Sequence, residues 1–392
     1  MFQITKSPDP ISLARNAVLF EIQTDSPDPF DVSVSVGGNE TRLTQYPALS
    51  GGLYFATVDV SDVLRAAFPD SPAIPMGDAP IYPMAEFFIE YSVAINETSY
   101  NFKAVNGGIS NAMARALGTV DTDIFDFRLT NSEALFLFTT RTNERHLRIH
   151  LSEMFPFIFL HPGKTIVFRS EAGNTRTYAA PAGSVGNPYV VNFLLLRNEF
   201  FIAFGEVANF LTVMVDGKIA FDVTFLPDPV VEDKYRLRFL NSLGAYEQVV
   251  VTGTARLLPE FEEQDAYRSL NESFWFYEKK RDRVRSTDVI SVEAGYKSKA
   301  DLMFLLDMIA SDVCLFVYPD GSVCPCLVSA ASPEVPLRVT TPQSMLLKVT
   351  FNATENLYSP PIDRSAFPLA WILDDGKWRP GGVWTDTGKW NP

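Results

Sequence analysis

Short apolar runs that alternate with polar residues recur along most of this chain. Each is cut off by glycine, proline, asparagine or aspartate. Side chains of a strand point to alternate faces, so a run of this kind buries one face only inside a sheet. Val32, Val34 and Val36 fall on one face, with Ser33 and Ser35 on the other. Gly37-Gly38-Asn39 and Ser50-Gly51-Gly52 mark turns, and Asp216-Gly217 between two apolar runs is a hairpin signal. Phe is frequent, with 31 copies, and aromatic residues suit a pleated, half-buried surface. The expected fold is mostly β, with tandem β-sandwich-like domains, a few short helices and an extended C-terminal arm.

A chain of 392 residues exceeds one ordinary core, and a hydrophobic content of 46% is enough to fill several. Strand signals at 17–24, 31–36, 53–60 and 85–93 suggest an N-terminal β-sandwich-like domain over 1–105. Ser61 is placed to cap a helix over 62–68, stopped by Pro69. A connector at 106–130 holds a short helix over 112–117, capped by Ser110 or Asn111 and closed by Gly118. A second β-rich domain spans 131–258, with strands expected at 135–140, 147–151, 165–169, 189–196, 200–204, 211–215, 219–225, 235–240 and 248–256. Its most apolar stretch, 189–215, contains Arg197, Glu199 and Glu206, which favours buried strands over a membrane span. The acidic segment 259–265 reads as a boundary.

The third domain, 259–357, is expected to be α+β with a helix at 299–310. Ser298 and Asp301 cap this helix, and Leu302, Leu305, Leu306 and Ile309 share one of its faces. A hairpin follows, with strands at 313–318 and 323–328, and a further strand is expected at 344–351. A two-residue turn at Asp320-Gly321 would bring Cys314 near Cys326 and set Cys324 opposite Val317.

Catalytic patterns are missing from the sequence. His146 lacks the following glutamate of the helical metalloprotease motif, and His146, His150 and His161 read as surface or hairpin histidines. Cys314, Cys324 and Cys326 are too few for a disulfide framework and read as buried free thiols. Asp121, Asp123 and Asp126 lack the glycine and distal glutamate of a calcium loop. Gly183-Ser184-Val185-Gly186 has the wrong spacing for a nucleophile elbow. No cofactor is expected. Lys279, Lys280, Arg281, Arg283 and Arg285 follow the aromatic run 274–277, a pattern that can hold single-stranded nucleic acid. Asp282 interrupts it and the chain carries a net charge of −14, so a hairpin tip or a contact to an acidic subunit is expected instead. No basic run followed by an apolar one opens the chain, which suggests no secretory leader.

The segment 358–392 differs from the rest. It carries four of the five tryptophans, Trp371, Trp378, Trp384 and Trp390, among prolines and glycines, at a spacing that fits neither helix nor strand. Tryptophan is enriched at interface hot spots, so these four are the candidate interface residues of an arm that docks on a neighbouring subunit. Packing on its own domain and stacking on sugars are the alternatives.

Four stretches together carry a resemblance: Arg15-Asn16-Ala17-Val18-Leu19-Phe20-Glu21, Ser152-Glu153-Met154-Phe155-Pro156-Phe157-Ile158-Phe159-Leu160, Arg238 through Glu247, and Gly295-Tyr296-Lys297-Ser298 with its helix. They resemble structural proteins, of the tail or tail tip, encoded by phages and prophages of Bacteroidetes. The resemblance covers roughly 12–357. It implies a virion location after assembly in the bacterial cytoplasm, self-association, contacts to other virion proteins and no enzymatic role. A tail or baseplate protein is therefore the leading expectation. A carbohydrate-binding adhesin that recognises a host-surface glycan is the alternative.

Overall fold

The computed structural model of the protein describes residues 2–69, 72–95, 98–119, 135–141, 146–228, 234–258, 260–263, 266–271, 276–281, 284–318, 321–330, 333, 343–355, 383–384 and 390–391. The fold is mostly β, built of several sheets. Its contacts divide the chain into two units. The larger comprises Met1–Ile149, Met154–Leu226 and Leu240–Glu247. The smaller comprises His150–Glu153, Pro227–Phe239 and Gln248–Pro392.

In the larger unit the first ten strands are β1 (Phe2–Lys6), β2 (Ile11–Leu13), β3 (Leu19–Thr24), β4 (Phe30–Val36), β5 (Asn39–Gln45), β6 (Ala48–Ser50), β7 (Leu53–Asp59), β8 (Ile81–Pro83), β9 (Ile89–Ile95) and β10 (Thr98–Val105). Sheet β1-β3-β7-β6 faces sheet β2-β10-β9-β4-β5 across a core that takes residues from both, among them Phe20, Val58, Val34 and Val93. The valines of β4 are buried, as their period of two requires. Residues 85–87, read as strand, form a 3-10 turn before β9.

Helix α1 (Ser61–Ala67) starts one residue earlier than expected, and Ser61 does not cap it. Instead Asp59 accepts hydrogen bonds from Val18 N at 3.0 Å and Ser61 N at 2.9 Å. Helix α2 (Asn111–Thr119) is capped by Ser110, whose hydroxyl accepts from Met113 N at 3.2 Å. Gly118 lies inside this helix and does not close it.

The second sandwich pairs sheet β11-β13-β16-β8 with sheet β12-β18-β17-β14-β15. Its strands are β11 (Phe136–Leu137), β12 (His146–His150), β13 (Phe157–Leu160), β14 (Ile166–Ser170), β15 (Thr175–Tyr178), β16 (Pro188–Val191), β17 (Phe210–Val215) and β18 (Lys218–Leu226). Strand β8, from the first segment, adds to this sandwich through Tyr82↔Val190. A further core joins the two sandwiches within the unit, with Phe87, Phe138, Ile158 and Leu243 buried together. The β17–β18 hairpin closes between Val215 and Lys218. Asp216 and Gly217 both take positive φ there, the geometry that a two-residue hairpin turn demands.

The strand expected at 200–204, and the end of the one expected at 189–196, are helix instead: α3 (Phe193–Phe204). The Asn192 side chain accepts from Leu194 N and Leu195 N, and Gly205 at φ 67° stops the helix. Leu194, Leu195, Leu196, Arg197 and Glu199 lose little rotamer freedom in a helix. Phe193, Leu196 and Phe200 lie on one face and are buried in the second sandwich. A continuous apolar run hides that period, which is why it also reads as strand.

The smaller unit is one large sheet with a helix on it. The sheet order is β20-β19-β26-β27-β28-β25-β21, with β22 also on β25. Its strands are β19 (Tyr235–Leu240), β20 (Tyr246–Val251), β21 (Ala255–Leu257), β22 (Glu260–Glu263), β25 (Val284–Glu293), β26 (Cys314–Val317), β27 (Val323–Ala330) and β28 (Leu346–Glu355). β23 (Ala266–Asn271) and β24 (Phe276–Arg281) form a separate hairpin. The segment 260–263, read as part of an acidic boundary, is thus a paired strand, Glu260↔Thr287 to Glu263↔Val284. Strand 235–240, which its spacing groups with the second segment, pairs with β26 of the third.

Helix α4 (Lys299–Ile309) has the expected capping box. Ser298 Oγ accepts from Asp301 N, and the Asp301 carboxylate accepts from Ser298 N, both at 3.2 Å. Such a cap contributes about 1 kcal/mol. Leu302, Leu305 and Met308 pack on the sheet with Phe239, Phe316 and Leu347.

The β26–β27 register differs from expectation by one residue. Val317 faces Val323, and Tyr318 N donates to Ser322 O at 2.9 Å, so the loop is residues 319–321. Cys314 therefore lies directly opposite Cys326, and Cys324 opposite Phe316 rather than Val317. Gly321, at φ 88°, supplies the left-handed residue that a three-residue hairpin loop uses.

Candidate functional site

Of the four candidate interface residues, Trp384 and Trp390 lie directly opposite each other in a two-stranded ladder, β29 (Val383–Trp384) with β30 (Trp390–Asn391). Their spacing, which suggested no regular element, fits a hairpin. Trp371 and Trp378 lie outside the described residues, as do Asp121, Asp123, Asp126 and Arg283. Lys279, Lys280 and Arg281 run along β24, at the end of its ladder away from the 272–275 connection, so they do not form that hairpin's tip. Arg285 is on β25 opposite Glu262.

The histidines are held in three separate environments. His146 Nε2 is 2.6 Å from Thr224 Oγ1. His150 Nδ1 is 3.1 Å from the Pro227 carbonyl. His161 is buried, its ring 4.6 Å from that of Tyr189, and its Nδ1 accepts from Gly163 N at 3.0 Å. Burial lowers its pKa, because it disfavours the charged ring. Among the described residues no group of three His, Cys, Asp or Glu is placed to hold a metal ion. Among them, too, no helix is long and apolar enough to cross a membrane.

Cys314, Cys324 and Cys326 are free, the first and third buried. Burial pushes the Cys314 thiol up to about 11, with the nearby Asp312 charge adding to the effect and Ser311 opposing it. Cys326 is raised further, by burial first. The thiolate is the reactive form, so Cys314 offers far less of it than an ordinary thiol. We therefore expect a thiol reagent to label half-exposed Cys324 promptly in the native protein. The other two should follow only on denaturation, and three fast equivalents would contradict their burial.

A well-connected buried polar cluster is centred on Glu247, in the larger unit. Its carboxylate accepts from Thr139 Oγ1 at 2.9 Å, Thr140 N at 2.9 Å and Asn241 Nδ2 at 2.7 Å. Arg141 Nε lies 3.4 Å away, on a nearly buried side chain. Burial pushes the Glu247 carboxyl up, and Arg141, with the three donors, pulls against it. Asn241 also donates to Phe138 O at 2.9 Å and accepts from Ala245 N at 2.9 Å. Each polar group here is spent on the backbone or side chain of a neighbouring segment. The arrangement ties 241–247 to 138–141. No spacing rule in the sequence reveals it, since the partners are about a hundred residues apart.

Glycines make a second approach tight, that of 242–244 to 106–108. A Cβ on Gly244, whose φ is +87°, would lie 2.7 Å from Asn106 O, and one on Gly107 would lie 2.6 Å from Leu243 O. Gly108 N donates to Ser242 O at 2.6 Å.

No protein-family model and no curated protein matches the chain. Among solved structures, the titin I9-I11 tandem is 11% identical, with a TM-score of 0.15, and the match covers 74% of this chain and 94% of that one. A fragment of a 1.5-MDa bacterial ice-binding adhesin is 9% identical, with a TM-score of 0.14, covering 74% and 92%. A protein of unknown function from Porphyromonas gingivalis is 11% identical, with a TM-score of 0.11, covering 58% and 99%. Likenesses this weak carry no argument about function. What the chain's own sheets establish is a mostly β protein of tandem sandwich-like modules and one sheet-and-helix module.

Proposed function

We propose that the protein is a non-enzymatic structural component of a phage particle, of the tail or baseplate, that assembles with copies of itself and with other virion proteins through its C-terminal segment. One observation carries this reading: the stretches that bear the resemblance are spent on holding the fold. Arg15 Nε donates to Asn106 Oδ1 at 3.2 Å, and Asn16 exchanges two bonds with Ile109. Buried Glu153 accepts from Val250 N at 3.0 Å, and Ser152 N donates to Asp228 at 2.9 Å. Asn241 and Glu247 form the cluster above, and Ser298 caps α4. Residues used as scaffold suit a protein whose task is shape.

The tryptophans at 371, 378, 384 and 390 are the proposed contacts, because their rings bury a large area at little entropic cost. Deletion of 358–392 is expected to leave both units folded by circular dichroism and to lower the sedimenting mass toward that of a monomer. An oligomer of unchanged mass would overturn the arm as the assembly element.

A further inference from the structure

Helix α3 is apolar except at Arg197, Asn198 and Glu199, and only one of its faces meets the core. Phe193, Leu196 and Phe200 are buried in the second sandwich. On the opposite side Ile202 is 82% exposed, Phe201 57% and Leu194 48%, with Phe204 and Val207 exposed beside them. Exposed apolar clusters mark interaction sites. The ridge is also held firmly. Arg176 donates to the Glu199 carbonyl at 3.1 Å and lies over the Phe204 ring at 5.3 Å. Tyr178 OH donates to Glu199 at 2.6 Å, and Arg197 donates to Ala208 O at 2.7 Å. A contact made here would cost little further ordering.

We propose that this ridge is the docking site for the C-terminal segment 358–392 of a neighbouring copy. The inference rests on the arm reading given above and assigns the arm its receptor. Charge selects the occupant. In 358–392 the aspartates at 363, 374, 375 and 386 cancel Arg364, Lys377, Arg379 and Lys389, so residues 1–357 carry the whole net charge of −14. Two such acidic bodies repel one another, whereas a neutral segment approaches without that cost. The segment is also rich in apolar residues, with Phe367, Leu369, Trp371, Ile372, Leu373 and Trp378 within twelve positions of the sequence. It starts just past β28, which ends at Glu355. Extended, it reaches over about 100 Å, several times the roughly 18 Å length of a helix like α3.

The test uses the full-length chain with a photo-crosslinking residue in place of Ile202, mixed with an isotopically heavy copy of the same protein. Cross-links from 202 to peptides within 358–392, joining light to heavy chains, are the expected result. In parallel, Ile202→Asp should weaken self-association about ten-fold, equivalent to roughly 1.4 kcal/mol, with an unchanged melting temperature. Five outcomes would overturn the proposal. Cross-links to 193–207 of the other copy would mean ridge packs on ridge. Light-to-light products alone would mean the arm folds back on its own chain. Flotation with phosphatidylglycerol vesicles that is lost in Ile202→Asp would mean a lipid surface. If deleting 358–392 dissociates the oligomer while Ile202→Asp does not, the arm reading stands and this receptor does not. If neither change lowers the mass, both fail.

Discussion

Glu247→Ala is expected to destabilise the larger unit by about 3–5 kcal/mol, the usual cost of removing one partner of a buried ion pair. The carboxylate is almost wholly buried and collects donors from Thr139, Thr140 and Asn241, beside the Arg141 guanidinium. Truncation removes the acceptor those groups share, and buried groups that lose an acceptor are costly. Glu247→Gln keeps the size and one acceptor oxygen, so it should cost less. Thr139→Val removes a single donor, and about 1 kcal/mol is expected. Urea titration followed by circular dichroism gives the total. Hydrogen exchange of peptides containing 138–141 and 241–247 shows whether the loss is local. If Glu247→Ala cost no more than Thr139→Val, the cluster would be a bystander to stability.

Phe200→Ala is expected to cost about 3–5 kcal/mol, while Phe201→Ala, one residue on, should change stability by less than about 0.5 kcal/mol. Phe200 is fully buried in the second sandwich and Phe201 is mostly exposed. A strand would also place these two on opposite faces, so the helix is tested by a further position. On a helix, Phe193, Leu196 and Phe200 form one buried face. On a strand, Leu196 and Phe200 would share a face with Leu194 and Ile202, both of which are exposed. Ile202→Ala should therefore be nearly neutral and Leu196→Ala costly. Equal losses at 196 and 202, read by thermal unfolding, would contradict the helix.

Several elements are legible in the sequence because their cause is local. The β4 valines alternate with serines, and that alone decides which face is buried. Asp216-Gly217 allows positive φ at two successive residues, and the tight hairpin follows. Ser298 and Asp301 satisfy each other's backbone donors, which starts α4 where expected. The same local reading fails where chemistry is ambiguous over a short window. Ser61 looks like a cap, yet Asp59 accepts the bond from Ser61 N. An apolar run over 189–204 carries both periods at once, and burial against β13, β14 and β17 decides for the helix. A one-residue difference in loop length moves Cys324 from opposite Val317 to opposite Phe316.

The candidate surface divides in the same way. The tryptophans of the C-terminal segment stand out by composition, while the exposed ridge of α3 appears only once the sandwich has covered its other face. Sequence by itself determined the mostly β class, the hairpin at 216–217 and the cap of α4, because each depends on dihedral preferences and side-chain alternation over a few residues. Tertiary structure alone decided that β8 joins the second sandwich, that 235–240 pairs with β26, and that Glu247 meets Thr139. Those pairings span tens to more than a hundred residues. They follow from which buried faces and polar groups find complements in space, and no window of sequence contains both sides of such a contact.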